Sequence, residues 1–124
     1  MATKTKAAAT LATTLRAVCA ALPGATQDVK WGDVLVFSVG DKMFATTHTD
    51  GGDSFCFKVD DDRFLELTDR PGIVPAPYLA RAKWVQITDL KALSHEEAAA
   101  LVKRSYQLVF AKLTKKLQRE IGHE

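Results

Sequence analysis

Apolar residues recur along this chain in two rhythms, and the change of rhythm divides it into elements. Near the start, Leu11, Leu15, Val18 and Leu22 fall at spacings of four, three and four, one stripe on a helix. The pattern predicts a helix over about Ala7–Leu22, with residues 1–6 frayed and Pro23-Gly24 as its stop. The rhythm then shortens. Phe55, Phe57 and Val59 alternate with Ser54, Cys56 and Lys58, as in a strand with one covered and one open face. Four strands are expected, at roughly Ala25–Lys30, Val34–Val39, Lys42–His48 and Ser54–Val59. The Gly40-Asp41 and Asp50-Gly51-Gly52 turns between them accept positive φ, which suits antiparallel hairpins.

Beyond the strands, Asp60-Asp61-Asp62 precedes Phe64-Leu65-Glu66-Leu67. Carboxylates favour helix N-termini, so the acidic run reads as the cap of a short helix over Asp61–Thr68, ended by Arg70-Pro71-Gly72. Pro75-Ala76-Pro77 forms a stiff loop to Tyr78, and Lys83–Thr88 is a fifth strand. Ser94 and Glu97 match a capping box. It opens a last helix over about His95–Ile121, with a buried stripe near Leu101, Val102, Ser105, Val109, Leu113 and Leu117. Both long helices must cover one side of one sheet, because nothing else can cover the other side. That gives an α+β fold, a two-layer sandwich in one domain spanning 1–124, with an antiparallel sheet bare on one face. Leu15, Val18, Phe37, Phe55, Phe57, Val85, Ile87, Leu101, Val109 and Leu113 are expected in its core.

At 124 residues the chain is long enough to fold without disulfides or a structural metal. Met1–Ala25 mimics a secretory signal, but Arg16 and the threonines interrupt its apolar centre. No apolar run approaches the ~20 residues of a membrane helix, so a cytoplasmic protein that does not engage membranes is expected. Cys19 and Cys56 form no CxxC pattern and read as reduced thiols. The net charge of +2 says little, but its distribution says more. Residues 101–124 carry six basic and two acidic side chains, a net of +4. A basic last helix points to an anionic partner, or simply complements its own dipole.

Phosphate-binding glycine loops, HExxH and G-x-S-x-G are all missing from the sequence. His48, His95 and His123 are scattered, with no cysteine or carboxylate at metal-ligand spacing. No catalysis, cofactor or metal is expected.

The ordered set of motifs resembles a known family. Trp31-Gly32, Gly40-x-Lys42-Met43-Phe44-Ala45 and Phe57-Lys58-Val59-Asp60 lead into Pro75-Ala76-Pro77-Tyr78 and Lys83-Trp84-Val85. Ser105-Tyr106-Gln107-Leu108-Val109 and Lys112-Leu113-Thr114-Lys115-Lys116 close the series. Together they resemble the MmcQ/YjbR family of small bacterial proteins. The resemblance implies a CyaY/frataxin-like fold, with the N- and C-terminal helices packed on one face of a curved antiparallel sheet. It also implies DNA binding through a "double wing" surface. The frataxin likeness raises iron binding as a rival, but the first 27 residues hold no Asp or Glu to make an acidic ridge.

Alternation nominates the open face. Ser54, Cys56 and Lys58 on the fourth strand, and Trp84, Gln86 and Thr88 on the fifth, should point outward. The third strand is ambiguous, with either Met43 and Ala45 or Phe44 and Thr46 facing in. If Lys42 faces out, Phe44 and His48 follow it. The candidate DNA contacts are Lys30, Trp31, Lys42, Lys58, Lys83 and Trp84, since nucleic-acid surfaces combine cations with aromatic platforms. Alternatively, Trp31 and Trp84 are core residues at the sheet margins. Lys112, Lys115, Lys116 and Arg119 form a secondary basic patch on one side of the last helix. A protein or peptide partner on the same open face is the alternative to DNA.

Overall fold

The computed structural model describes residues 11–48, 54–77, 79–89 and 92–122. The expectation for residues 1–6 lies outside them. Helix α1 (Leu11–Ala21) is followed by strands β1 (Ala25–Lys30), β2 (Val34–Val39), β3 (Lys42–His48) and β4 (Phe55–Lys58). Then come α2 (Asp61–Thr68), β5 (Ile73–Pro75), a 3-10 turn (Ala80–Ala82), β6 (Trp84–Ile87), α3 (His95–Phe110) and α4 (Lys115–Gly122). The six strands form one antiparallel sheet in the order β1-β2-β3-β4-β6-β5. Its core joins α1 and α3 to the inward residues of the sheet, including Phe37, Phe55, Phe57, Val85 and Ile87.

Strand pairing settles the third strand in a way that alternation does not anticipate. Phe37 opposes Ala45 and Ser38 opposes Met43, so Phe44 is an extra residue in the ladder. This β-bulge turns two consecutive residues, Phe44 and Ala45, into the core. Met43 and Thr46 are both left on the open side. The bulge frees the Phe44 carbonyl, the end of β4 frees the Lys58 N–H, and buried Ser105 takes up both. Its hydroxyl donates to the Phe44 carbonyl at 2.7 Å and accepts the Lys58 N–H at 3.0 Å. Ser105 thus ties α3 to the sheet, rather than bonding back along its own helix as a mid-helix serine usually does.

Five further details differ from the sequence-based expectation. The segment before β6 is not all loop, because Ile73–Pro75 pairs with β6 as a short edge strand. The last helix is broken at residues 111–114. Gln118 Nε2 donates to the carbonyls of Phe110, Ala111 and Leu113, and the Thr114 hydroxyl accepts the Leu117 N–H. Those side chains end one helix and start the next. Ser94 caps α3 by accepting the Glu97 N–H, but the Glu97 carboxylate turns away from the box to pair with Arg70 at 2.7 Å. Asp60 stands at the N-cap of α2 without a capping bond and reaches Arg104 instead. Finally, α1 buries Cys19 fully, whereas Val18 is only partly covered.

Candidate functional site

Register assigns the open face. On that side stand Val34, Val36 and Ser38 of β2, Met43, Thr46 and His48 of β3, Cys56 and Lys58 of β4, and Trp84 and Gln86 of β6. A groove of about 660 Å³ runs across these strands. Trp31, in the β1–β2 hairpin, forms one lip, and Ala76, Pro77 and Leu79 form the other. The floor is Val34, Met43, Thr46, Cys56 and Gln86, with His48 and Ser54 at one end. Gln86 Nε2 donates to Ser54 Oγ at 2.7 Å, which fixes its amide across the floor. Among the described residues, no Lys, Arg, Asp or Glu lines the groove. Its titratable groups among the described residues are His48 and Cys56. Burial pushes the Cys56 thiol up, outweighing a hydrogen bond with Thr46 that pulls it down. The thiol is therefore protonated at neutral pH and a poor nucleophile.

Trp31 is 70% exposed and holds a positive φ of 53°. Bulky residues rarely adopt that conformation, which costs about 1–3 kcal/mol. Gly32 follows at φ 89°, so the pair of positive φ values closes the β1–β2 hairpin and leaves the indole exposed at the groove lip.

A second depression, about 630 Å³, adjoins the first, since Met43 lines both. Lys42 and Lys58 from the sheet and Lys112 from the α3–α4 turn line it, with Asp41 as the one carboxylate among its described residues. Lys58 Nζ donates to the Ala82 carbonyl at 2.5 Å.

The nominated residues are thus only partly brought together. Lys42, Lys58 and Trp84 meet with Lys112, so two cations of the sheet and one of the α3–α4 turn share one depression. Trp84 pairs with Lys58 on the open side, but at 5% exposed it offers no flat platform. It lines the second depression, as do Leu108 and Val109. Phe44 leaves the open face altogether, through the bulge. Lys83 turns toward α2, with its ammonium 5.2 Å from the Phe64 ring centroid. Lys30 ends the edge strand β1 at the His48 end of the ladder, opposite to Lys42. Lys115, Lys116 and Arg119 are exposed on α4, while Lys112 belongs to the preceding turn, so the four do not share one helix side. Met43 and Leu79 were missed. The first depends on the bulge, and the second on a loop without periodicity.

Among the described residues, no group of three His, Cys, Asp or Glu side chains is arranged to hold a metal ion. No helix there is long and apolar enough to cross a membrane.

Comparison with known proteins agrees with this architecture. No curated protein sequence matches the chain. The crystal structure of the Deinococcus radiodurans protein DR2400, described as a DUF419 domain, superposes with a TM-score of 0.77 at 32% identity, covering 91% of this chain and 88% of that one. A protein from Pseudomonas syringae shares the fold at a TM-score of 0.56 and 24% identity, over 68% of this chain and 86% of its own. The family model described as YjbR matches residues 20–108. With most of its length under that model, and with the bulged sheet and its two covering helices, this chain belongs to the YjbR family.

Proposed function

We propose that the open face is a docking groove for a partner protein, binding an extended, uncharged segment rich in apolar side chains, without catalysis. The observation that carries this is the lining of the groove, which is largely apolar and, among the described residues, holds no formally charged side chain. A charged ligand would lose its hydration there and find no counter-charge. An uncharged segment would cover Val34, Met43 and Trp31, and Thr46, His48 and Gln86 offer hydrogen bonds to its backbone. Among the described residues of the groove no carboxylate accompanies His48 and Cys56, which supports binding over chemistry. The proposed compartment is the cytoplasm, where the free thiols of Cys19 and Cys56 stay reduced.

Selection from a random peptide display library tests the proposal. Enriched peptides should be uncharged and apolar, and should lose binding to a Met43→Arg variant, which sets a cation on the groove floor. Peptides that bind this variant and the parent equally would move the contact elsewhere.

A second reading, duplex DNA, is favoured by one observation. Lys42, Lys58 and Lys112 converge on the second depression, as phosphate-pairing cations would.

A further inference from the structure

The sheet has two edges, and they are treated differently. β5 is three residues long and ends in Pro75, so it offers little to a foreign strand. β1 is six residues long, pairs with β2 alone among the described residues, and exposes every residue from Thr26 to Lys30. Gln27 and Val29 lie on the side that helices cover elsewhere, yet Val29 is 52% exposed. The Val29 N–H is held by its neighbour, Asp28 Oδ1, at 2.9 Å. That donor points out of the sheet, and in an antiparallel ladder the carbonyl of the same residue points with it.

We propose that β1 pairs with β1 of a second copy of this chain, antiparallel, about a two-fold axis through Val29. In such a pair opposed residues share a face, so the axis must set one residue against itself. Four registers oppose three or more strand residues of each copy: five with the axis at Asp28 or Gln27, and three with it at Val29 or Thr26, the last leaving Asp28 and Lys30 without a strand partner. An axis at Asp28 opposes two carboxylates. An axis at Gln27 sets Asp28 against Thr26 and leaves Lys30 beyond the strand. An axis at Val29 opposes Asp28 to Lys30 twice and Val29 to itself, and brings Gln27 opposite Trp31. Only this register pairs both charges of β1 with opposite charges. It also lets the two Val29 residues exchange N–H···O=C bonds, while Asp28 trades its local bond for Lys30 of the second copy. Charges that repel other strands thus complement their own copy. With the axis normal to the sheet, both open grooves lie on one side of a twelve-stranded sheet, with the Trp31 hairpins next to the dyad.

Sedimentation velocity over a protomer series up to about 1 mM tests the pairing. The mass should rise with concentration from 13.6 kDa toward twice that value. Lys30→Asp and Asp28→Lys should each hold the protein monomeric. The double exchange Asp28→Lys/Lys30→Asp should restore association, because the pairs re-form with their signs reversed. Val29→Pro removes the donor at the dyad without touching the bonds to β2, and should also give a monomer with an unchanged circular dichroism spectrum. A parent that stays monomeric throughout overturns the proposal. So does a dimer indifferent to Lys30→Asp and Val29→Pro, or a folded double exchange that fails to associate.

Discussion

Ser105 shows how much one hydroxyl can carry. The bulge at Phe44 leaves a carbonyl without a ladder partner, and the end of β4 leaves the Lys58 N–H in the same state. The Ser105 hydroxyl serves both, at 2.7 and 3.0 Å, from a fully buried position on α3. Ser105→Ala would strand a buried acceptor and a buried donor, each costing about 1–3 kcal/mol. The expected loss is about 2–4 kcal/mol in urea denaturation. A loss under about 0.5 kcal/mol would mean that water replaces the hydroxyl. None of this was legible in the sequence, where a mid-helix serine looks like a small packing residue. Its partners are backbone groups made available by a bulge 61 residues away, and a bulge leaves no mark on an alternating pattern. Trp31 is the reverse case. Its Trp-Gly pair in a turn was plainly visible, and what the sequence withheld was the side on which the indole stands.

At the level of elements, periodicity found almost everything that pairs or packs along its whole length. β1, β2, β3 and α2 have the expected boundaries, because each carries a full alternation or helical repeat between glycine or proline stops. β5 escaped because three residues ending in proline have no period to read. The break between α3 and α4 escaped because Thr114 and Gln118, its capping side chains, also suit a helix interior. The break matters to the β2–β3 hairpin. Gly40 and Asp41 hold φ of 58° and 66°, the mirror-image turn that hairpins favour. Asn would suit this turn conformationally, but a Cβ at position 40 would stand 2.8 Å from both Leu113 methyls and 2.9 Å from Leu117 Cδ2. Gly40 is therefore where the α3–α4 turn and α4 close on the sheet. Gly40→Ala adds a left-handed backbone cost of about 1–2 kcal/mol and pushes those leucines aside. Amides of Lys115–Gly122 should then exchange with deuterium faster, while those of α1 keep their protection. Unchanged exchange in α4 would show that the leucines adjust without undocking.

Across the whole molecule, charge placement matters more than the net +2. Arg63, Arg70 and Arg104 pair with Glu66, Glu97 and Asp60 along α2 and α3. Hydrogen bonding to Arg70 holds the Glu97 carboxyl below its usual range, so that pair stays formed well into mild acid. Those three arginines are already matched, whereas Lys42, Lys58 and Lys112 meet one carboxylate among the described residues, Asp41, at the second depression. The two readings of function therefore use adjoining surfaces of opposite character, with Met43 between them. This makes them separable by the sign of one substitution. Met43→Arg should abolish peptide docking in the apolar groove, yet strengthen any DNA binding by adding a fourth cation to the lysines. The triple variant Lys42→Gln/Lys58→Gln/Lys112→Gln should do the opposite. It should leave peptide binding intact and lower the slope of log affinity against log salt by about 0.9 for each lysine–phosphate pair that the substitution removes. Fluorescence anisotropy of a labelled duplex over a salt series, run on the parent and both variants, reads these effects. Absence of duplex binding by the parent even at low salt would sink the DNA reading. Duplex binding that Met43→Arg weakens and the triple variant leaves alone would mean that nucleic acid enters the groove itself, and the docking proposal for that groove would then fall.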